Sequence, residues 1–407
     1  MFSCACAQAA TISISCAALG KEREICRQGA EAWARQTGHS VRLVSTPNSS
    51  SEQLALYQQL LAAHAADLDV IQIDVVWPGI LASHLIDLSP YAGGKIEQHF
   101  PALVANDTVD GKLVAVPWFA DAPLLYYRKD LLARYRLPVP KTWRELTDTA
   151  RRIQDAERAA GNGRLWGYVW QGRAYEGLTC NALEWVASDG GGTIVERDGR
   201  ISIDNPRAAG ALRRAAGWIG SITPTGVLNY SEEEARGVFQ SGNAVFMRNW
   251  PYAWPLVNGG DSPVRRKVGL ATMPAGENGI GAATLGGAQL AVSRYSAHPA
   301  LAADLVLYLT GAAEQKRRAI AGGYFPTIRA LYRDPEIRRA NPLYAILADA
   351  IAHSVVRPSA FTGRRYNRVS TAFWNAAHAV LSGQADADTA LRSLERNLMR
   401  LSRGGKW

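Results

Sequence analysis

Cysteine is scarce in this chain, and its arrangement does not suit metals. The five residues are Cys4, Cys6, Cys16, Cys26 and Cys180, an odd number with no Cys-x-x-Cys pair. That excludes a zinc ribbon and a thioredoxin-like redox motif. Cys16 and Cys26 read instead as small buried residues of an early strand and helix. The seven histidines are scattered, with none at a metal-ligand spacing. The sequence has no P-loop, no Gly-x-Gly-x-x-Gly between strand and helix, no His-Glu-x-x-His and no Gly-x-Ser-x-Gly. The signatures of phosphate-cradling loops, zinc proteases and α/β-hydrolase nucleophiles are therefore missing. No metal or cofactor is expected. No apolar run reaches transmembrane length. There is no internal repeat and no long basic block. The net charge of +9 comes from dispersed pairs such as Arg151-Arg152, Arg213-Arg214 and Arg317-Arg318, interleaved with acids. They read as a solvated surface and not as a nucleic-acid interface.

What is present describes an ordinary globular protein: 407 residues, 47% hydrophobic and 20% charged. That length can bury a large core and suggests two lobes. Twelve Trp and fifteen Tyr against eight Phe are less ordinary. Such rings pair a flat apolar face with a polar handle, which suits a site gripping an amphipathic ligand. The opening "MFSCACAQAA" places Ala7-Gln8-Ala9 in the small-x-small form of a signal-peptidase site. Residues 1–10 read as the remnant of an export signal, or as a disordered start.

Hydrophobic periodicity supplies the architecture. "TISIS" alternates as a strand, residues 22–36 carry apolar positions at helical spacing, and "SVRLV" is a second strand. "SSSEQLALYQQLLAAHAA" follows as a Ser-capped helix, and "LDVIQID" is a third strand. Strand, helix, strand, helix, strand implies a parallel sheet covered by helices. "VAVPWFADAPLLYYRKDLL" joins two strand-like runs through a proline, which fits a chain crossing between lobes. "KVGLATMPAG" is a further strand and a second candidate crossing, and "HPALAADLVLYLTGAAEQKRRAI" is predicted to be one helix. In sheets of this kind, ligands bind beyond the carboxyl ends of the strands.

Three acids stand where a strand ends or a helix opens: Glu22, Asp74 and Asp121. Paired carboxylates could hydrolyse a glycosidic bond. They could equally accept hydrogen bonds from sugar hydroxyls, or serve only as helix-terminus and salt-bridge partners. "RNWPYAW" sets Trp250, Tyr252 and Trp254 in a proline-stiffened turn. It is a stacking platform for a pyranose, or else a packing cluster. Gly286-Gly287 before a strand permits close backbone approach to a ligand, or marks a bulge. Arg357 could reach a ligand with its fork of donors, or pair with an acid.

Together, "DVIQIDVVW", "DAPLLYYRKDLL", "WGYVWQGRAYEGLTCN", "FQSGNAVFMRNWPYAW" and "ATLGG" resemble the extracytoplasmic solute-binding proteins of sugar ABC importers. The nearest branch is the one that binds trehalose and maltose. The resemblance runs from about Thr11 to near the end of the chain. It implies an α/β fold of the periplasmic-binding-protein type, with two α/β lobes joined by hinge strands. The expected N-terminal lobe is 11–118 plus 275–327, and the C-terminal lobe 119–267 plus 328–407. Crossings are expected near 117–122 and 268–274. Glu22, Asp74 and Asp121 would accept from glucose hydroxyls, and Trp250 would stack on a glucosyl ring flanked by Tyr252. Gly287 would donate its backbone N–H, and Arg357 would reach in from the second lobe. Two positions depart from relatives of that branch. Ala288 stands where an aromatic wall is common, and Phe119 where a tyrosine often supplies a hydroxyl. The implied protein is a monomer exported to the periplasm. It captures trehalose or, second, maltose and delivers the sugar to membrane permease subunits, without catalysis. The competing expectation is an exported glycosidase using Glu22, Asp74 and Asp121.

Overall fold

The computed structural model describes residues 9–16, 20–276, 281–340 and 344–407. The expected export remnant lies outside these residues, apart from Ala9 and Ala10. The chain divides into two compact units. One comprises Met1–Ala120 and Gly287–Asn341, the other Asp121–Gly286 and Pro342–Trp407.

The first unit is built on a five-stranded sheet. Its strands are β1 (Thr11–Ser15), β2 (Ser40–Val44), β3 (Val70–Asp74), β4 (Val116–Asp121) and β9 (Gly286–Val292), in the order β2-β1-β3-β9-β4. β1 pairs in parallel with both β2 and β3, as the alternation of strands and helices requires. β9 runs antiparallel to β3, with Ala288 opposite Asp74. Ile12, Ile14, Val70 and Leu290 from the sheet, with Trp33 and Leu305 from helices, form the core. The helix Gly20–Thr37 begins two turns before Cys26, which forms a disulfide with Cys16 just past β1. The expectation that both cysteines are buried holds, but they are covalently paired and not merely small apolar residues.

The second unit carries a four-stranded sheet of β5 (Leu124–Arg128), β6 (Trp166–Val169), β7 (Ala244–Asn249) and β8 (Val268–Ala271), in the order β8-β5-β7-β6. Its core is aromatic. Trp143, Trp185 and Tyr168 surround Trp218 with ring centroids 5.6–5.8 Å apart. Six of the twelve tryptophans (Trp33, Trp118, Trp143, Trp170, Trp185 and Trp218) are less than 2% exposed. Much of the aromatic excess therefore serves packing and not ligand binding. Thr142 and Glu145 form a capping box at the start of the helix Trp143–Ala159.

Three stretches differ from expectation. Residues 268–274 are no crossing, because β8 is fully paired with β5 from Val268↔Arg128 to Ala271↔Leu125. Residues up to Gly286 belong to the second unit, where Ala283–Thr284 pairs in parallel with Ser354–Val355. Residues 328–340 belong to the first unit, where Ile328 bridges His99 and Asp334 binds Lys316 at 2.8 Å. The run from His298 is also two helices, Pro299–Leu309 and Ala312–Gly322, since Gly311 takes an extended conformation that ends the first and opens the second.

Candidate functional site

In the first unit, Glu22, Asp74, Phe119 and Gly287 sit on the first helix, at the carboxyl end of β3, near the end of β4 and at the start of β9. This is the sheet end at which ligands bind in such folds. Glu22 lies in the first turn of its helix and keeps 22% of its side chain exposed. The amide of Gln72 donates to its Oε1 at 3.4 Å. Burial pushes the Glu22 carboxyl up, and the nearby Arg318 guanidinium opposes that shift. Asp74 is half-buried, and its Oδ1 accepts the Val76 N–H at 3.1 Å.

Gly287 has φ +134°, and a Cβ there would come within 2.4 Å of the Phe119 carbonyl oxygen. Only glycine lets β9 and β4 approach so closely at this point. The Gly287 carbonyl accepts the Val75 N–H at 3.3 Å. Phe119 is buried, packed edge-on against Tyr324 at 4.9 Å. Ala288, expected to mark a missing aromatic wall, is buried in the first unit's core, where its small side chain serves packing.

In the second unit, Asp121, Trp250, Tyr252 and Arg357 have distinct surroundings. Asp121 is half-buried, and its Oδ1 accepts the Ala122 N–H at 2.9 Å. Trp250 is half-buried and held on several sides. The Arg248 guanidinium lies 4.4 Å from its ring centroid. Glu232 lies near its side chain and accepts the Tyr175 hydroxyl at 2.6 Å. The Trp250 carbonyl accepts the Tyr126 hydroxyl at 2.7 Å. Gly286 abuts the far edge of the ring, where a Cβ would come within 2.7 Å of Cζ3. The Tyr252 hydroxyl donates to Glu233 at 2.6 Å. The helix Glu232–Gln240 thus anchors the Tyr252 ring of the aromatic turn. Arg248 in turn is fully buried and ion-paired with Glu184 at 2.5 Å, with Gln171 accepting a third bond at 3.0 Å.

Arg357 takes the acid-pairing alternative. It is 5% exposed and bonds Glu176 at 2.9 Å, and Glu176 also accepts from Ser370 at 2.7 Å and from Tyr366. Its surroundings are those of a structural ion pair, because burying two charges demands this saturation. Glu232, Glu233 and Glu176 were not singled out in the sequence, and Arg318 was read as solvated surface. A signal for Arg318 exists: Gln315, Arg318, Ala319 and Gly322 recur at i, i+3, i+4 and i+7, all on the buried face of their helix. Arg318 is 1% exposed, which corrects its assignment to the solvated surface. Among the described residues, no His/Cys/Asp/Glu group suits a metal ion, and no helix is long and apolar enough to cross a membrane.

Comparison with known proteins gives this arrangement a family. The model for bacterial extracellular solute-binding proteins matches residues 20–316. This chain belongs to that family. A "Probable ABC transporter-binding protein" of Deinococcus radiodurans is 50% identical over 98% of this chain and 96% of its own length. The solved structure of maltose-bound MalE3 of T. maritima is 39% identical, covers 97% of this chain and 100% of its own, and superposes with a TM-score of 0.90. The acarbose-binding GacH receptor of Streptomyces glaucescens is 22% identical, covers 97% of this chain and 99% of its own, and has a TM-score of 0.86. That last likeness speaks for the fold alone. The chain is thus a solute-binding protein of the two-unit α/β type expected from its sequence.

Proposed function

We propose that this protein is the substrate-binding component of a sugar ABC importer. It captures a disaccharide of glucosyl units, trehalose or maltose, outside the cytoplasmic membrane and hands it to the permease subunits. Its chemistry is recognition, and the sugar leaves intact. The observation that carries this reading is the anchored Trp250 ring, with one face backed by Arg248, in the same unit as the half-buried carboxylate of Asp121. An aromatic face takes the C–H face of a pyranose, and ionised carboxylates accept from vicinal hydroxyls. Glu22 and Asp74 supply the same acceptor chemistry from the first unit.

The similarity to T. maritima MalE3, described with maltose bound, supports a glucosyl disaccharide. The Cys16–Cys26 disulfide suits an oxidising compartment, in keeping with export to the periplasm. A ligand that binds one conformation of the protein better than another shifts the population towards it, and that shift signals loading to the permease. The working form is a monomer. The glycosidase alternative would need a paired acid and nucleophile on one sugar, and membership of a solute-binding family weighs against it.

A calorimetric titration against trehalose, maltose, sucrose and glucose, with product analysis of the same mixtures, tests the proposal. Micromolar or tighter binding of trehalose or maltose with intact sugar is expected. Cleaved sugar would make the acids catalytic, and silence with all four sugars would assign the site to another solute.

A further inference from the structure

Arg318, on the helix Ala312–Gly322, is a buried cation whose three side-chain nitrogens meet no hydrogen-bond acceptor. Such a group is costly to bury, so something must compensate it. Its guanidinium carbon lies 3.6 Å from the Trp118 ring centroid, 4.5 Å from that of Tyr324 and 5.2 Å from that of Phe119. Aromatic faces accept a guanidinium in this way and would suit an ammonium less well. Its Nη2 lies 3.9 Å from Oε1 of Glu22. The other ionisable groups facing it are Tyr324, Arg317 and Glu314. Glu314 is occupied by Arg317, which it binds at 2.7 Å and 2.9 Å. Arg317 also donates to the Ile25 carbonyl at 2.6 Å, which ties the helix bearing Glu22 to the helix bearing Arg318. Seen from Glu22, the facing groups are Arg318 and, from β3, Gln72.

We propose that Arg318 is a positioning residue of the ligand site: pinned on Trp118, it holds Glu22 from behind as an ionised acceptor for a sugar hydroxyl. The inference rests on the disaccharide reading and adds a residue that touches no sugar. Glu22 is the group that needs such help. It is partly buried, which favours its neutral form, and a neutral carboxyl loses acceptor capacity. Arg318 supplies the opposing charge. The stacked aromatics fix that charge where it cannot swing into the site and compete for the carboxylate.

The test is a carbon-13 NMR titration of the glutamate carboxyls in the sugar-free protein, with E22Q to assign the Glu22 signal, in wild type and R318M. Maltose calorimetry between pH 5 and 8 accompanies it. Glu22 is expected to titrate below pH 7 in wild type and at least one pH unit higher in R318M. The variant's maltose affinity at pH 7 is expected to fall about tenfold and to recover towards pH 8. A Glu22 midpoint that is the same in both proteins, or above pH 7 in wild type, overturns the proposal. Should R318M fail to fold, R318K decides by a double-mutant cycle. Its loss of maltose affinity should be at least threefold smaller in the E22Q background, and equal losses in both backgrounds overturn the proposal. Wild type that binds none of the sugars refutes the disaccharide reading, while the NMR titration still decides for Arg318.

Discussion

Asp121 opens the second unit at the end of β4, where its Oδ1 accepts the next N–H in the chain. As the proposed acceptor of a sugar hydroxyl, Asp121 replaced by alanine (Asp121→Ala) should weaken maltose or trehalose binding by about 1.5–3 kcal/mol, ten- to a hundredfold, in protein that still unfolds cooperatively. Calorimetry and a thermal scan on the same preparation check this. Unchanged affinity would make Asp121 a turn residue. Acids at strand ends were legible in the sequence, because apolar runs announce where a strand stops. The partners of buried cations were not. Arg357 depends on Glu176, 181 residues away in the chain, and Arg318 on Trp118 and Glu22, and no local pattern reveals which distant partner will saturate a charge.

At the scale of elements, the alternation of β1 to β3 with two helices predicted a parallel arrangement, and the pairing of β1 with β2 and β3 follows it. The break at Gly311 was hidden, because apolar positions continue at helical spacing on both sides of it. The disulfide was hidden for another reason: five cysteines do not disclose their pairing. It joins the end of β1 to the second turn of the next helix across ten residues, and Glu22 lies between its ends. Closing so short a loop restricts the unfolded chain by about 3 kcal/mol. The double variant Cys16→Ser, Cys26→Ser should lose about that much stability in denaturant unfolding. It should also bind maltose more weakly, since the turn bearing Glu22 is released. Unaltered stability would mean that packing alone holds this helix.

For the whole molecule, the sequence conveyed two α/β units but misplaced their boundaries, because a strand such as β8 looks the same whether it crosses between units or completes a sheet. Which residues belong to which unit governs how stability responds to pH. His99, in the first unit, is buried and bonded through Nδ1 to the Thr327 hydroxyl at 2.8 Å. Burial lowers its pKa to about 4. The unfolded chain, with the ordinary value near 6.5, binds a proton that the folded form refuses. This group's contribution is thus fully present above about pH 6.5 and is lost as pH falls towards 4, by at most about 3 kcal/mol. Glu22 and Asp107 oppose it, because burial raises both carboxyls and folding then favours their protonated forms as pH falls. The two effects separate by substitution. Denaturant unfolding at pH 7 and pH 4.5 should show wild type losing up to about 3 kcal/mol more than His99→Gln. Equal losses would mean that the first unit opens to let His99 take up its proton without unfolding.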